Sequence, residues 1–194
     1  MHRLSRGDLY TLEVYAEIRN QYRAQVMSHK KNRRVMLGPH ATLHFEDRMT
    51  IQYQVQEMLR AERIFEPAAI EEELEAYNPL IPDGGNFKAT FMLEYEDVEE
   101  RRVALARLRG VEDRVWVQVG ESERTWGLAD EDMERENDQK TSAVHFLRFE
   151  LDAGSSRMAQ RGAPISIGIE HEALREVVAP IPESIRASLV ADLA

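Results

Sequence analysis

No cysteine occurs among the 194 residues. That excludes structural disulfides, thiolate zinc sites, a cysteine nucleophile and any iron–sulfur cluster held by the chain's own thiolates. No apolar run is long enough to span a bilayer, and the N-terminal MHRLSRGDLY lacks the hydrophobic core of a signal peptide. A cytoplasmic address without membrane contact is therefore expected. Cations are in the minority, 25 Lys and Arg against 35 Asp and Glu, for a formal net charge of −10. Affinity for nucleic acid rests largely on phosphate neutralisation, so the balance argues against that class of partner. Several catalytic signatures are also missing. Gly84-Gly85 lacks the Lys-Ser/Thr of a phosphate loop, and neither a Gly-x-Ser-x-Gly elbow nor a His-Glu-x-x-His helix is present.

A chain of this length with 43% hydrophobic residues suits one domain that buries roughly 70% of its unfolded surface. Charge is uneven along it: residues 1–34 carry a net +5, and the remainder −15. The basic cluster Lys30, Lys31, Arg33 and Arg34 could dock an anion. Cations are also favoured at a helix C-terminus by the helix dipole, and that reading is preferred.

Apolar residues recur every three or four positions from Leu9 through Leu12, Tyr15, Ile18, Tyr22 and Val26, which predicts a helix ending near His29. Ser5 with Asp8 and, as a rival, Thr11 are its candidate caps. Gly38-Pro39 breaks the chain, and His40 to Glu46 alternates as a short strand should. Pro67 suits the first turn of another helix, with Ile70, Leu74 and Tyr77 on one side. Strands are predicted near 89–96, 114–119, 124–128, 142–151 and 164–169, with a helix after Asp97 and a last one after Pro182. Residues 129–141 and the stretch from Gly154 to Gly162 read as polar loops. The expected architecture is α+β in a single domain over residues 1–194. Residues 1–80 are mainly helical, and residues 88–194 form a largely antiparallel sheet of about five strands with a covering helix and a C-terminal helix.

The segment FEDRMTIQYQVQEMLRAER, Phe45 to Arg63, is ambiguous. Met49, Ile51, Tyr53 and Val55 alternate like a strand, but the pattern fails at Glu57. Ile51, Val55, Leu59 and the strong helix formers of 54–62 favour a helix over about 49–64, capped by Asp47 or Thr50. Three glutamines, Gln52, Gln54 and Gln56, fall within five residues of it. Residues three or four apart share a helix face, so Gln54, Gln56, Glu57 and Arg60 can interlock. Together with Glu46, Arg48, Glu62 and Glu94 they form the candidate binding or polar network.

His40, His44 and Glu46 share one face of an extended segment and form the candidate metal set, for a divalent ion such as iron. Alternate strand residues lie about 6.6–7 Å apart, so the two histidines would sit roughly 13 Å from each other unless the chain bends. His145, on an apolar face, is expected to be a hydrogen-bonded core residue. His171 reads as a solvated strand end.

Four segments, RRVMLGP (Arg33–Pro39), FEDRMTIQYQVQEMLRAE (Phe45–Glu62), YNPLIP (Tyr77–Pro82) and SAVHFLRF (Ser142–Phe149), together resemble the bacterial family catalogued as domain of unknown function 3501. The resemblance covers nearly the whole chain. The family's usual Phe-Glu-Asn-Arg stands here as Phe45-Glu46-Asp47-Arg48. No activity comes with the resemblance. Its members tend to be encoded beside rubrerythrin-like diiron proteins and a cysteine-rich iron–sulfur oxidoreductase. The resemblance thus implies an accessory or interaction protein of a redox or peroxide-stress system, with one of those proteins as partner. The alternative is a small metal-dependent enzyme or metal carrier using His and carboxylate ligands. The sequence leaves catalysis and homo-oligomerisation open.

Overall fold

The computed structural model describes residues 3–129 and 140–194. The central part of the expected loop at 129–141 lies outside the described residues. The chain is α+β. Its first helix, α1 (Leu12–Lys30), starts at Thr11, whose hydroxyl accepts from the Val14 amide. The rival cap Ser5 instead opens one short turn, where the Asp8 carboxylate accepts from the Ser5 amide and hydroxyl.

The ambiguous segment is helical. Helix α2 (Arg48–Glu62) begins with a reciprocal cap: Asp47 Oδ1 accepts from the Thr50 amide, and Thr50 Oγ1 accepts from the Asp47 amide, both at 2.9 Å. It ends at Arg63 in the left-handed region, φ 56°. Helical periodicity splits its apolar residues between two clusters. Ile51, Val55 and Leu59 pack with Leu4, Ile81 and with Ile70 and Leu74 of α3 (Pro67–Tyr77). Tyr53 turns the other way to Tyr15, Tyr22 and Val26 of α1.

Two antiparallel sheets supply the larger core. One runs β1 (Arg34–Leu37), β2 (Ala41–Phe45), β3 (Asn86–Leu93), β7 (Val144–Glu150), β6 (Leu128–Ala129). The other runs β5 (Thr125–Trp126), β4 (Val115–Val119), β8 (Ile165–His171), β9 (Leu174–Val178). Strand periodicity divides each strand between two faces. Phe87, Ala89, Phe91 and Leu93 point inward from β3 and share one core with Val115, Val117 and Val119 of β4 and Ile165, Ile167 and Ile169 of β8. The chain passes from the second sheet to the first through Gly127, between β5 and β6. A Cβ there would lie 3.1 Å from the Phe149 ring. On the opposite flank β1 and β9 run close together, and a side chain on Gly38 would meet Glu176.

The α+β class and the antiparallel pairing match the expectation, but the strands foreseen in residues 88–194 divide between two sheets: β3 and β7 join the five-stranded one, whereas β4, β5 and β8 form most of the four-stranded one. Its strand β9 and the edge strand β1 were not foreseen. The supposed loop around Gly154–Gly162 contains helix α5 (Ala153–Gln160), capped by Asp152, whose Oδ1 accepts from the amides of Gly154 and Ser155. The side chains it buries, Ser155 and Ala159, are too small to give an apolar stripe in sequence. Helix α4 (Val98–Arg107) covers part of the core through Leu105, and α6 (Glu183–Val190) does so through Ile185 and Leu189.

Candidate functional site

The amide-rich side of α2 faces the N-terminal segment. Gln56 is fully buried. Its Oε1 accepts from the Tyr10 amide at 2.7 Å, and its Nε2 donates to the Tyr10 carbonyl at 3.3 Å. One turn earlier, Gln52 Nε2 donates to the Asp8 carbonyl at 2.6 Å, and Arg48 pairs with the Asp8 carboxylate at 2.5 Å. On the side facing α1, Glu57 accepts from the Tyr15 hydroxyl at 2.7 Å and from both Nε and Nη2 of Arg19. That bidentate Arg19 contact holds the Glu57 carboxyl down at about 2 against partial burial. These groups are mutually satisfied, and their chemistry is that of a fastening between the N-terminal segment, α1 and α2. Gln54, Arg60 and Glu62 project into solvent. Glu94 lies apart from α2, at the end of β3, where it accepts from the Thr42 hydroxyl at 2.8 Å and approaches Arg34 at 3.8 Å.

A second polar centre joins the start of α2 to the C-terminus. Arg33, only 2% exposed, donates to the carbonyls of Phe45, Glu46 and Ser188 and forms an ion pair with the buried Asp192. It also lies 3.4 Å from Asp47, which His29 Nε2 contacts at 2.5 Å. Burial pushes the Asp192 carboxyl up to about 6, outweighing the pull of Arg33. Asp47 is held below the usual range: burial opposes, but Arg33, the Thr50 amide and His29 together prevail. The basic cluster of the sequence is accordingly dispersed. Arg33 is an internal clamp, Lys30 sits 5.9 Å over the Tyr53 ring, and Arg34 leans toward Glu94.

The outer face of the five-stranded sheet is partly exposed among the described residues. Register places Arg34, His44, Thr90 and Phe146 in one cross-strand row, and Met36, Thr42, Met92 and Val144 in the next. Glu46, just past the end of β2, begins a third row with Lys88 and Arg148, with Leu128 beyond them on β6. Met36 is 51% exposed and Leu128 50%, while His44, Thr90, Met92 and Phe146 are half-buried. The His44 side chain makes no hydrogen bond to the described residues. Burial, aided by Arg34, moves its imidazole below the ordinary histidine range, although Glu46 and Glu94 act in the other direction. The shift favours the uncharged ring. The face offers an imidazole, two thioethers and an aromatic ring, flanked by charges of both signs.

The supposed metal set is not assembled. His40 stands in the turn before β2, with Nδ1 2.9 Å from the Glu94 carbonyl and its ring stacked on Tyr95 at 4.2 Å. Glu46 is held by the Thr50 and Thr90 hydroxyls at 2.6 and 2.7 Å. Strand geometry keeps His40 and His44 apart, and among the described residues no three His, Asp or Glu side chains converge as ligands of one ion. His145 is a core residue, buried beside Phe91 and within hydrogen-bonding distance of the Thr141 hydroxyl and the Ser142 carbonyl, each at 3.0 Å. His171 departs from its reading as a solvated strand end. It is buried, its Nε2 lies 3.0 Å from the Arg109 carbonyl, and its Nδ1 accepts from the Ala173 amide.

The architecture is thus a two-sheet α+β fold with a helical layer fastened by polar contacts and a partly exposed outer face on the five-stranded sheet. Residues 3–193 match a family described as a protein of unknown function, DUF3501, and the chain belongs to that family. It is also similar to a novel protein of unknown function from Burkholderia pseudomallei K96243, known from its crystal structure. The two are 49% identical, the match covers 100% of each chain, and the TM-score is 0.94. No curated protein shows a match. Among the described residues no helix is long and apolar enough to cross a membrane.

Proposed function

We propose that this chain is an accessory protein of an iron–sulfur or diiron redox system, and that it docks on its partner through the outer face of the five-stranded sheet. The observation that carries the reading is the contrast between two polar surfaces. The side of α2 that is richest in hydrogen-bonding groups is consumed by internal contacts, from Gln56–Tyr10 to Glu57–Arg19. The sheet face instead leaves Met36, Leu128 and the unpartnered His44 available. Thioether and aromatic side chains with few fixed charges are what a protein-binding surface uses at its centre. The redox identity of the partner comes from the family resemblance, whose members are encoded beside such proteins. The chain has no cysteine of its own, so the thiolates of an iron–sulfur cluster in such a system would have to come from the partner.

Affinity capture of the tagged chain from its native host tests this. The expected result is recovery of an iron–sulfur oxidoreductase or a rubrerythrin-like protein with wild type, and at least tenfold less with Met36→Glu combined with Met92→Glu. Recovery of neither protein, or equal recovery with the double variant, overturns the reading.

A further inference from the structure

At one end of the partly exposed outer face the sheet, the N-terminal segment and the turn after α3 enclose a cleft of about 530 Å³. That volume is in the range of small-molecule sites. Three cations from three separate segments line it, Arg3, Lys88 and Arg148, against two carboxylates, Glu46 and Asp83. This local excess of positive charge stands out in a chain with a net charge of −10.

Both carboxylates are already engaged. Glu46 accepts from the Thr50 and Thr90 hydroxyls, and Asp83 accepts from the Gly85 amide and the Asn86 side chain. The cations are less completely matched. Lys88 Nζ donates to the Pro79 carbonyl at 2.6 Å and the Ile81 carbonyl at 3.0 Å. An ammonium has three donors, so one is left without an acceptor among the described residues. Arg3 has no hydrogen bond or ion pair to the described residues, and Arg148 pairs only with Glu150 among them. Burial moves the Lys88 ammonium below its ordinary range against the pull of Asp83 and Glu150, and Arg148 and Arg3 add to the lowering. A partly desolvated cation beside two others is stabilised by a bound anion. The remaining wall is apolar, formed by Pro79, Leu80, Leu128 and Phe146.

We propose that this cleft binds a small organic carboxylate with an apolar body, the carboxylate at Arg3, Lys88 and Arg148 and the body against Phe146 and Leu128. The guanidinium of Arg3 supplies a planar fork suited to a carboxylate, and the spare Lys88 donor adds a point charge. An apolar body distinguishes this ligand from a simple inorganic anion, which would make no use of the apolar lining at Leu80, Leu128 and Phe146. The inference does not rest on the docking reading, since it concerns the isolated chain.

The test is titration of the purified full-length protein with phenylacetate and hexanoate at constant ionic strength, followed by calorimetry and thermal unfolding. Phenylacetamide and inorganic phosphate are the controls. Saturable binding of one or both carboxylates is expected, with at least tenfold weaker binding of phenylacetamide. Arg3→Ala and Phe146→Ala should each weaken carboxylate binding at least fivefold. Arg23→Ala, which removes an exposed cation on α1, should leave it unchanged. Arg3 is exposed, so its variant tests the site without a folding defect. Absence of saturable binding, an amide response equal to the carboxylate response, or insensitivity to Arg3→Ala overturns the proposal. A phosphate response as large as that to either carboxylate would mark an adventitious ion only, and overturns it as well.

Discussion

Gln56 holds Tyr10 from both sides, its carboxamide oxygen on the Tyr10 amide and its carboxamide nitrogen on the Tyr10 carbonyl. The pairing imitates a strand ladder with a side chain as one partner. It satisfies a stretch of backbone that lies between the first short turn and α1 and has no sheet neighbour.

Replacing Gln56 by leucine should therefore destabilise the protein by about 2 kcal/mol, since it leaves the Tyr10 amide and carbonyl without partners at a fully buried position. Urea unfolding measures this directly. Gln54→Leu, at an exposed position on the same helix, should change stability by no more than about 0.5 kcal/mol.

The Arg33–Asp192 centre predicts a pH dependence with a definite sign. Asp192 has a folded pKa of about 6 against an ordinary value of 3.8, so the folded state binds its proton more tightly than the unfolded state. Stability contributed by that group then falls as pH rises from about 4 to about 6, and is level above that. The amplitude is on the order of 2–3 kcal/mol. Glu57, held at about 2, acts in the opposite sense: its contribution is complete above about 4.5 and is lost as pH falls toward 2. Chemical denaturation from pH 3 to 8 should reveal the two opposed slopes, and Asp192→Asn should flatten the one between pH 4 and 6. An unchanged slope in that variant would remove Asp192 as its source.

Gly168 on β8 lies directly across from Trp116 on β4. A Cβ at Gly168 would fall 2.4 Å from Cζ2 of the indole, far inside contact distance. Gly168→Ala should cost about 2 kcal/mol through forced repacking. In a Trp116→Leu background the same change should cost about 1 kcal/mol less, a coupling that a double-mutant cycle measures.

The sequence carried much of this arrangement where the governing contacts are local. Asp47, Thr50 and the Ile51–Val55–Leu59 stripe specify α2 within a dozen residues. The density of glutamines there pointed to Gln56 as a group in need of partners. Legibility failed where the decisive partner is remote. Arg33 reads as one more cation in a basic cluster because Asp192 is 159 positions away, and His171 reads as exposed because the Arg109 carbonyl is 62 positions away. Strands β1 and β9 were missed for another reason. Each has only four or five residues and is defined by its neighbour in the sheet more than by its own pattern. The candidate cleft shares this difficulty, since Arg3, Lys88 and Arg148 meet only after folding.

The passage of the chain through Gly127 and the approach of β1 to β9 have a consequence for association. Among the described residues the four edge strands β1, β5, β6 and β9 are each five residues or shorter, and β1 lies beside β9, so little bare edge is offered for another chain to extend. Recruitment by strand addition is thereby disfavoured, and a partner has to meet this molecule broadside, through side chains rather than through backbone.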